Sequence, residues 1–136
     1  MRFIALVFVI VIASFATKAD EGAISDAKKV IESQIEAFLA DDSERAYSFA
    51  APSIRQIFPD PDVFIGMVRR GYTPVYRPGA YDFGESKFDG NTIQQRVFIT
   101  DQNGKLFEAE YLLAKQADGS WKIAGVFLKE AEGLSS

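Results

Sequence analysis

Arg69, Arg70, Tyr72, Tyr76, Arg77 and Tyr81 fall between Met67 and Phe83, the densest run of cationic and aromatic side chains in the chain. Tyrosine faces flanking a guanidinium suit a modest-sized organic anion, because the planar fork of arginine can donate two parallel hydrogen bonds to a carboxylate or phosphate. Tyr72, Tyr76 and Arg77 are the first candidates for such a site, with Tyr47 and Arg96 at its border. The same residues also have a plain structural use. Tyrosines cover helix–sheet junctions, and Arg69 and Arg70, in the last turn of a helix, face the negative end of its dipole.

A second chemistry would use Glu108 or Glu110 as a proton-transfer base beside a tyrosine hydroxyl, as in an isomerase or cyclase. A base working near neutrality needs a raised pKa. Arg96, expected opposite Glu110, favours the ionised form and pushes the other way. No residue is therefore assigned as catalytic, and Arg96 and Glu110 stand as ligand-binding candidates.

The chain has no Cys and no His. Without them there is no disulfide framework, no thiolate nucleophile and no imidazole base, so Ser-His-Asp and Cys-His mechanisms are excluded. Zinc, copper and non-haem iron lose their commonest ligand, and neither a metal nor a cofactor is expected. The formal net charge is −4 over 136 residues. Removal of residues 1–19, which carry Arg2 and Lys18, leaves 13 basic against 19 acidic residues, a net −6. A chain that acidic has no electrostatic case for nucleic acid or for an anionic membrane.

Residues 1–19 read as a secretory signal: one charge at Arg2, an apolar run from Phe3 to Ala13, then small residues at Ser14, Ala16 and Ala19. The run is shorter than the roughly 20 apolar residues of a spanning helix, so cleavage is expected after Ala16 or Ala19, giving a periplasmic or secreted protein. Residues 20–136 have the length of one domain, with 130–136 a loose tail.

The elements that must position the candidates follow from periodicity. Ile24, Ala27, Ile31, Ile35 and Phe38 recur at three- and four-residue steps, predicting an amphipathic helix over Ser25–Ala40. Asp41 and Asp42 precede Ser43 and Glu44 and cap a short second helix. Pro52 starts a third, and Asp60 or Asp62 caps a fourth that runs to Gly71, expected to take a positive φ just past the helix end. Pro74 and Pro78 are read as forbidding further helical turns.

From Tyr81 onward the pattern alternates, predicting strands over Tyr81–Phe88, Thr92–Thr100, Lys105–Gln116 and Trp121–Lys129. Asn103-Gly104 and Asp118-Gly119 mark tight antiparallel turns. Helices first and an antiparallel meander after them make an α+β domain. Bulged glycine turns put Arg96 opposite Glu110, Phe98 opposite Glu108, Leu113 opposite Ile123 and Tyr111 opposite Gly125. One sheet face then holds Ile93, Val97, Ile99, Tyr111, Leu113, Ile123 and Phe127, a wall for the helices. The other holds Arg96, Phe98, Glu108, Glu110, Leu112, Val126 and Leu128, a mixed face suited to a pocket or a homodimer contact.

The blocks AFLADDSERAYSFAAPSIRQIF, MVRRGYTPVYRP and DGSWKIAGVFLK resemble an exported bacterial family, domain-of-unknown-function family 4864. The helices-then-meander order ending in Gly-Ser-Trp resembles the wider nuclear transport factor two-like superfamily of cystatin-like, cone-shaped α+β domains. That resemblance implies N-terminal helices on a curved sheet and an exported habit, with no activity attached. Three roles remain open: a small-molecule-binding or accessory module with an aromatic and arginine-lined cone opening, a homodimeric interaction module, and a carboxylate- and tyrosine-dependent enzyme.

Overall fold

Helix α1, Lys18–Leu39, begins with a capping box: the Thr17 hydroxyl accepts from the Asp20 amide and the Asp20 carboxylate accepts from the Thr17 amide. This computed structural model describes residues 17–131. The helix starts seven residues before the Ser25 expected from its apolar stripe, because its first turn, Lys18 to Glu21, is mostly charged and rests on the cap, with packing beginning at Ala23. Most of the secretory-signal reading, residues 1–16, lies outside the described residues, as do residues 132–136 of the expected tail. Among the described residues no helix is long and apolar enough to cross a membrane.

Four short helices follow. In α2, Ser43–Ser48, the Asp42 carboxylate accepts from the Arg45 amide, and α3, Pro52–Ile57, opens on proline. Asp60 caps α4, Pro61–Gly71, and α5, Thr73–Tyr76, is a single turn. Two expectations are corrected here. Pro74 sits in the first turn of α5, where its missing amide costs no hydrogen bond, so it starts a turn that it was expected to forbid. Gly71 ends α4 without a left-handed backbone; the described residues with positive φ are Asp41, Gly90, Gly104 and Gly119.

The sheet is a meander of β1 Ala80–Phe88, β2 Thr92–Thr100, β3 Leu106–Lys115 and β4 Trp121–Glu130, in the order β1-β2-β3-β4 with every pair antiparallel. Gly104 and Gly119, at φ 84° and 85°, close the last two turns as their Asn-Gly and Asp-Gly pairs predict. Arg96 stands opposite Glu110 and Phe98 opposite Glu108, as expected. The β3–β4 register shifts between Leu112 and Leu113, so Tyr111 pairs with Val126 and not with Gly125. One extra residue exchanges the faces beyond it. Val126 and Leu128 pack toward the core, and Phe127 turns outward, 70% exposed.

A second shift, between Phe83 and Ser86, bends β1. It is held by Gln95, fully buried on the core face of β2, whose amide donates to the Gly84 carbonyl at 3.1 Å while its oxygen accepts from Ser86. The two bulges curve the sheet around α1. Ile31, Ile35 and Phe38 are buried with Ile93, Val97, Ile99, Ala109, Tyr111 and Leu113. Each such aliphatic side chain contributes about 1.5–3 kcal/mol by leaving water. Residues 49–51 run along the β4 edge: the Ile123 amide donates to the Phe49 carbonyl and the Ala51 amide to the Ile123 carbonyl, both at 2.8 Å. This strap ties the short helices to the end of the sheet where the curve opens.

Candidate functional site

A cavity of about 420 Å³ lies where the curved sheet, α1 and the short helices meet. Gln34 and Phe38 of α1 form its floor, and Ile54 and Phe58 of α3 one side. Phe64, Met67 and Val68 of α4 form another, with Tyr72 and Val75 at the α4–α5 corner. The sheet contributes Ile123, Gly125, Val126 and Phe127; Val126 reaches this side because of the β4 register shift, and Phe127, though 70% exposed, borders the opening. Small residues make the space: Ala50 and Gly125 stand on the wall where larger side chains would fill it.

Aromatic packing stiffens the wall. Phe38 lies 6.2 Å from Phe64 and 5.9 Å from Tyr76, centroid to centroid, and Tyr47 lies 5.5 Å from Phe64, all tilted. Polar groups in the lining are few. Gln34, 3% exposed, donates its amide nitrogen to the Ala46 carbonyl at 3.1 Å, while its oxygen accepts no hydrogen bond from the described residues. Tyr72 is half-buried and, among the described residues, is the one ionisable residue of the lining.

The six sequence candidates occupy four separate places. Tyr72 lines the cavity. Tyr47 supports its wall from behind: its hydroxyl donates to the Phe58 carbonyl at 2.7 Å, and the Arg55 guanidinium lies 4.8 Å over its ring. Tyr76 and Arg77 form a clamp with Asp41. The Tyr76 hydroxyl and the Arg77 guanidinium both donate to one Asp41 oxygen, Arg77 also donates to the Phe38 carbonyl, and its guanidinium carbon sits 4.1 Å over the Tyr76 ring. These bonds, led by Tyr76, hold the Asp41 carboxyl below its ordinary value, and Asp41 raises the pKa of Arg77. The clamp joins the C-terminal end of α1 to α5.

Arg96 and Glu110 lie on the other face of the sheet, beside a recess of about 20 Å³ with Glu85, Lys87 and Gln94. Although Arg96 stands opposite Glu110, its Nε meets the Glu108 carboxylate at 2.6 Å. Strand twist brings the diagonal neighbour closer than the direct one. Lys129 reaches the same carboxylate at 3.6 Å, and Glu85 lies 3.8 Å from Arg96.

Gln34 was not among the candidates, although its signal is in the sequence. It stands at the i+3 step between Ile31 and Phe38, a polar side chain inside the apolar stripe of α1. The apolar lining of α3 and α4 carries no comparable mark, since its periodicity reads as ordinary core. Among the described residues no cluster of carboxylates could hold a metal ion.

Comparison with known proteins places these features in context. A family model described as Domain of unknown function (DUF4864) matches residues 20–136. The fold is similar to that of an NTF-2-like protein of unknown function from Silicibacter pomeroyi DSS-3. The TM-score is 0.58 at 15% identity, covering 84% of this chain and 99% of that one. An NTF2-like protein from Campylobacter jejuni gives a TM-score of 0.48, also at 15% identity, over 80% and 99% of the two chains. No curated protein matches. The likeness to the Silicibacter protein shows the fold: helices followed by a four-stranded antiparallel sheet.

Proposed function

The chain belongs to the family described as Domain of unknown function (DUF4864), and for this member we propose a binding role, in which the cavity holds a small apolar molecule. One observation carries the reading: a cavity of about 420 Å³ whose lining side chains, among the described residues, are apolar apart from Gln34 and Tyr72. Its volume falls within the ~300–1,000 Å³ of ligand pockets, and open apolar surface of that extent gains by being covered. The ligand differs from the organic anion that the arginine run suggests in the sequence, because Arg77 lies on Asp41 and Tyr76 and not in the lining. Glu108 and Glu110, considered as proton-transfer bases, stand on the far side of the sheet.

The test is titration with a neutral apolar fluorophore such as N-phenyl-1-naphthylamine. Saturable binding at one site per chain is expected, abolished by Met67→Trp, which fills the space from the partly exposed side of α4. Absence of saturable binding in the wild-type protein would refute the role.

The role is proposed for an exported protein. The charged start, short apolar run and small residues of 1–16 support this, and cleavage after Ala16 would leave the Thr17–Asp20 capping box whole. Cleavage after Ala19 would remove it. Intact mass of protein recovered from the cell envelope should therefore start at Thr17; a full-length species retained in membranes would reject export.

A second reading, homodimer formation through the outer sheet face, is favoured by Phe98 at 37% exposure and by Phe127, 70% exposed at the edge shared with the cavity. Light scattering of the purified protein separates a dimer from a monomer, and Phe127→Lys should leave only the monomer.

A further inference from the structure

Resting on the apolar-ligand reading above, we propose that the cavity selects a neutral chain-like or ring molecule ending in one hydrogen-bond donor, such as a long-chain alcohol, and rejects carboxylates. The basis is the state of its polar atoms. Gln34 is 3% exposed and lies on the lining, and its amide nitrogen is fixed by the Ala46 carbonyl at 3.1 Å. That bond settles which way the carboxamide points. Its oxygen accepts nothing from the described residues and is not among their fully buried, unpaired side-chain atoms, so it is left as an accessible acceptor on an otherwise apolar lining. A ligand that covers this oxygen takes it away from water, so a ligand hydroxyl keeps it paired where an ether would leave it without a donor, while the hydrocarbon covers the walls.

An anion meets the opposite situation. Among the described residues no Lys or Arg belongs to the lining. Of the cations on the surrounding elements, Arg77 is engaged with Asp41 and the Phe38 carbonyl, Arg55 with the Ala50 and Tyr47 carbonyls, and Lys122 with the Ser48 carbonyl, while Arg69 and Arg70 of α4 are exposed to water. A carboxylate entering here would shed its water, face the Gln34 oxygen and find no counter-charge. Tyr72, half-buried at the α4–α5 corner, supplies the one other polar side chain among the described lining residues and can both donate and accept. It tolerates several ligand ends, so discrimination falls to Gln34.

The experiment displaces the neutral fluorophore from the whole mature protein at pH 8 with three ligands of similar size: dodecanol, undecyl methyl ether and dodecanoate. The alcohol and ether have the same number of heavy atoms and differ in the donor. Dodecanol is expected to bind about 5–10-fold more tightly than the ether, the net worth of one hydrogen bond. Dodecanoate is expected to be at least about 100-fold weaker than dodecanol. In Gln34→Met the alcohol-to-ether ratio should fall to about one while both still displace the fluorophore, with circular dichroism confirming the fold. Equal affinity of alcohol and ether in the wild-type protein, or competition by dodecanoate as strong as by dodecanol, overturns the proposal and leaves the apolar cavity reading standing. Failure of all three to displace a fluorophore that itself binds saturably overturns it too. If the fluorophore does not bind at all, the binding role falls with it. Should Gln34→Met fail to fold, the wild-type comparison alone decides.

Discussion

The Tyr76 hydroxyl donates to an Asp41 carboxylate oxygen at 2.7 Å, joining the turn after α1 to the last turn before the sheet. Asp41 takes a left-handed backbone, φ 54°, a conformation that aspartate and asparagine tolerate better than most residues. Its carboxyl is held below the usual 3.8, first by Tyr76 and then by Arg77. A folded-state pKa below the unfolded one means that the folded protein binds fewer protons. The stabilisation is therefore complete above the unfolded carboxylate range and is lost as pH falls through the folded pKa.

Asp41→Asn keeps the backbone and an acceptor but removes the charge facing Arg77. The variant should melt below the wild type at neutral pH, and the gap should close as pH drops below 3.8. Because the Asp41 side chain is 65% exposed, added salt should also narrow the gap. A gap independent of pH would mean that the charge has no part in the clamp.

Tyr111 offers a simpler test. Its ring is fully buried, and its hydroxyl has no hydrogen-bond partner among the described residues, while burial drives its pKa upward. An unpaired buried hydroxyl is a cost without a return, so Tyr111→Phe should raise stability by about 1 kcal/mol in urea unfolding. In an alkaline titration of the native protein, Tyr111 should stay un-ionised until the fold opens. A loss of about 1 kcal/mol in Tyr111→Phe would show that the hydroxyl is paired.

On the far face of the sheet, Glu108 and Glu110 should behave differently. Glu108 is 18% exposed and holds Arg96 at 2.6 Å, with Lys129 at 3.6 Å, whereas Glu110 is exposed. Glu108→Ala should cost about 1 kcal/mol and Glu110→Ala less than about 0.5 kcal/mol. A double-mutant cycle should give coupling between Arg96 and Glu108 and none between Arg96 and Glu110. Equal losses for the two single variants would reverse the pairing.

The arginine pairing illustrates where a one-dimensional reading stops. Asn103-Gly104 made the β2–β3 register countable, so the position of Arg96 opposite Glu110 was legible; the diagonal reach of its side chain depends on twist, which no spacing encodes. The same limit applies to β4. Asp118-Gly119 set the turn, but nothing in Ile123-Ala124-Gly125 marks an extra residue, so Val126 and Phe127 were placed on the wrong faces. The start of α1 was hidden because its first turn is mostly charged and overlaps a signal-like composition. The clamp residues Tyr76 and Arg77 were conspicuous by type, yet their partner Asp41 is 35 and 36 positions away and looked like part of a cap. Gln34 was visible as a polar step in an apolar stripe. The cavity itself was not, because small residues such as Ala50 leave no trace of what fails to fill the space beside them.

Two glycines decide how the helical layer meets the sheet, and their substitutions should move stability in opposite directions. Gly71 ends α4 with no positive φ, and a Cβ there would meet nothing within 4 Å. Gly71→Ala therefore adds no clash and reduces the freedom of the unfolded chain, so it should stabilise by about 0.5 kcal/mol. Gly79, just after α5, donates its amide to the Thr100 carbonyl at 2.7 Å, and a Cβ there would stand 2.7 Å from the Asp101 carbonyl oxygen and 3.2 Å from that of Thr100. Both obstacles are backbone atoms at the end of β2 and cannot swing aside as a side chain would. Gly79→Ala must push the α5–β1 junction away from the β2–β3 turn, at a cost of about 1–3 kcal/mol. Urea unfolding of the two variants beside the wild type measures both signs. A destabilised Gly71→Ala would restore the left-handed helix end that the sequence suggested, and an unchanged Gly79→Ala would mean that this junction has room to yield.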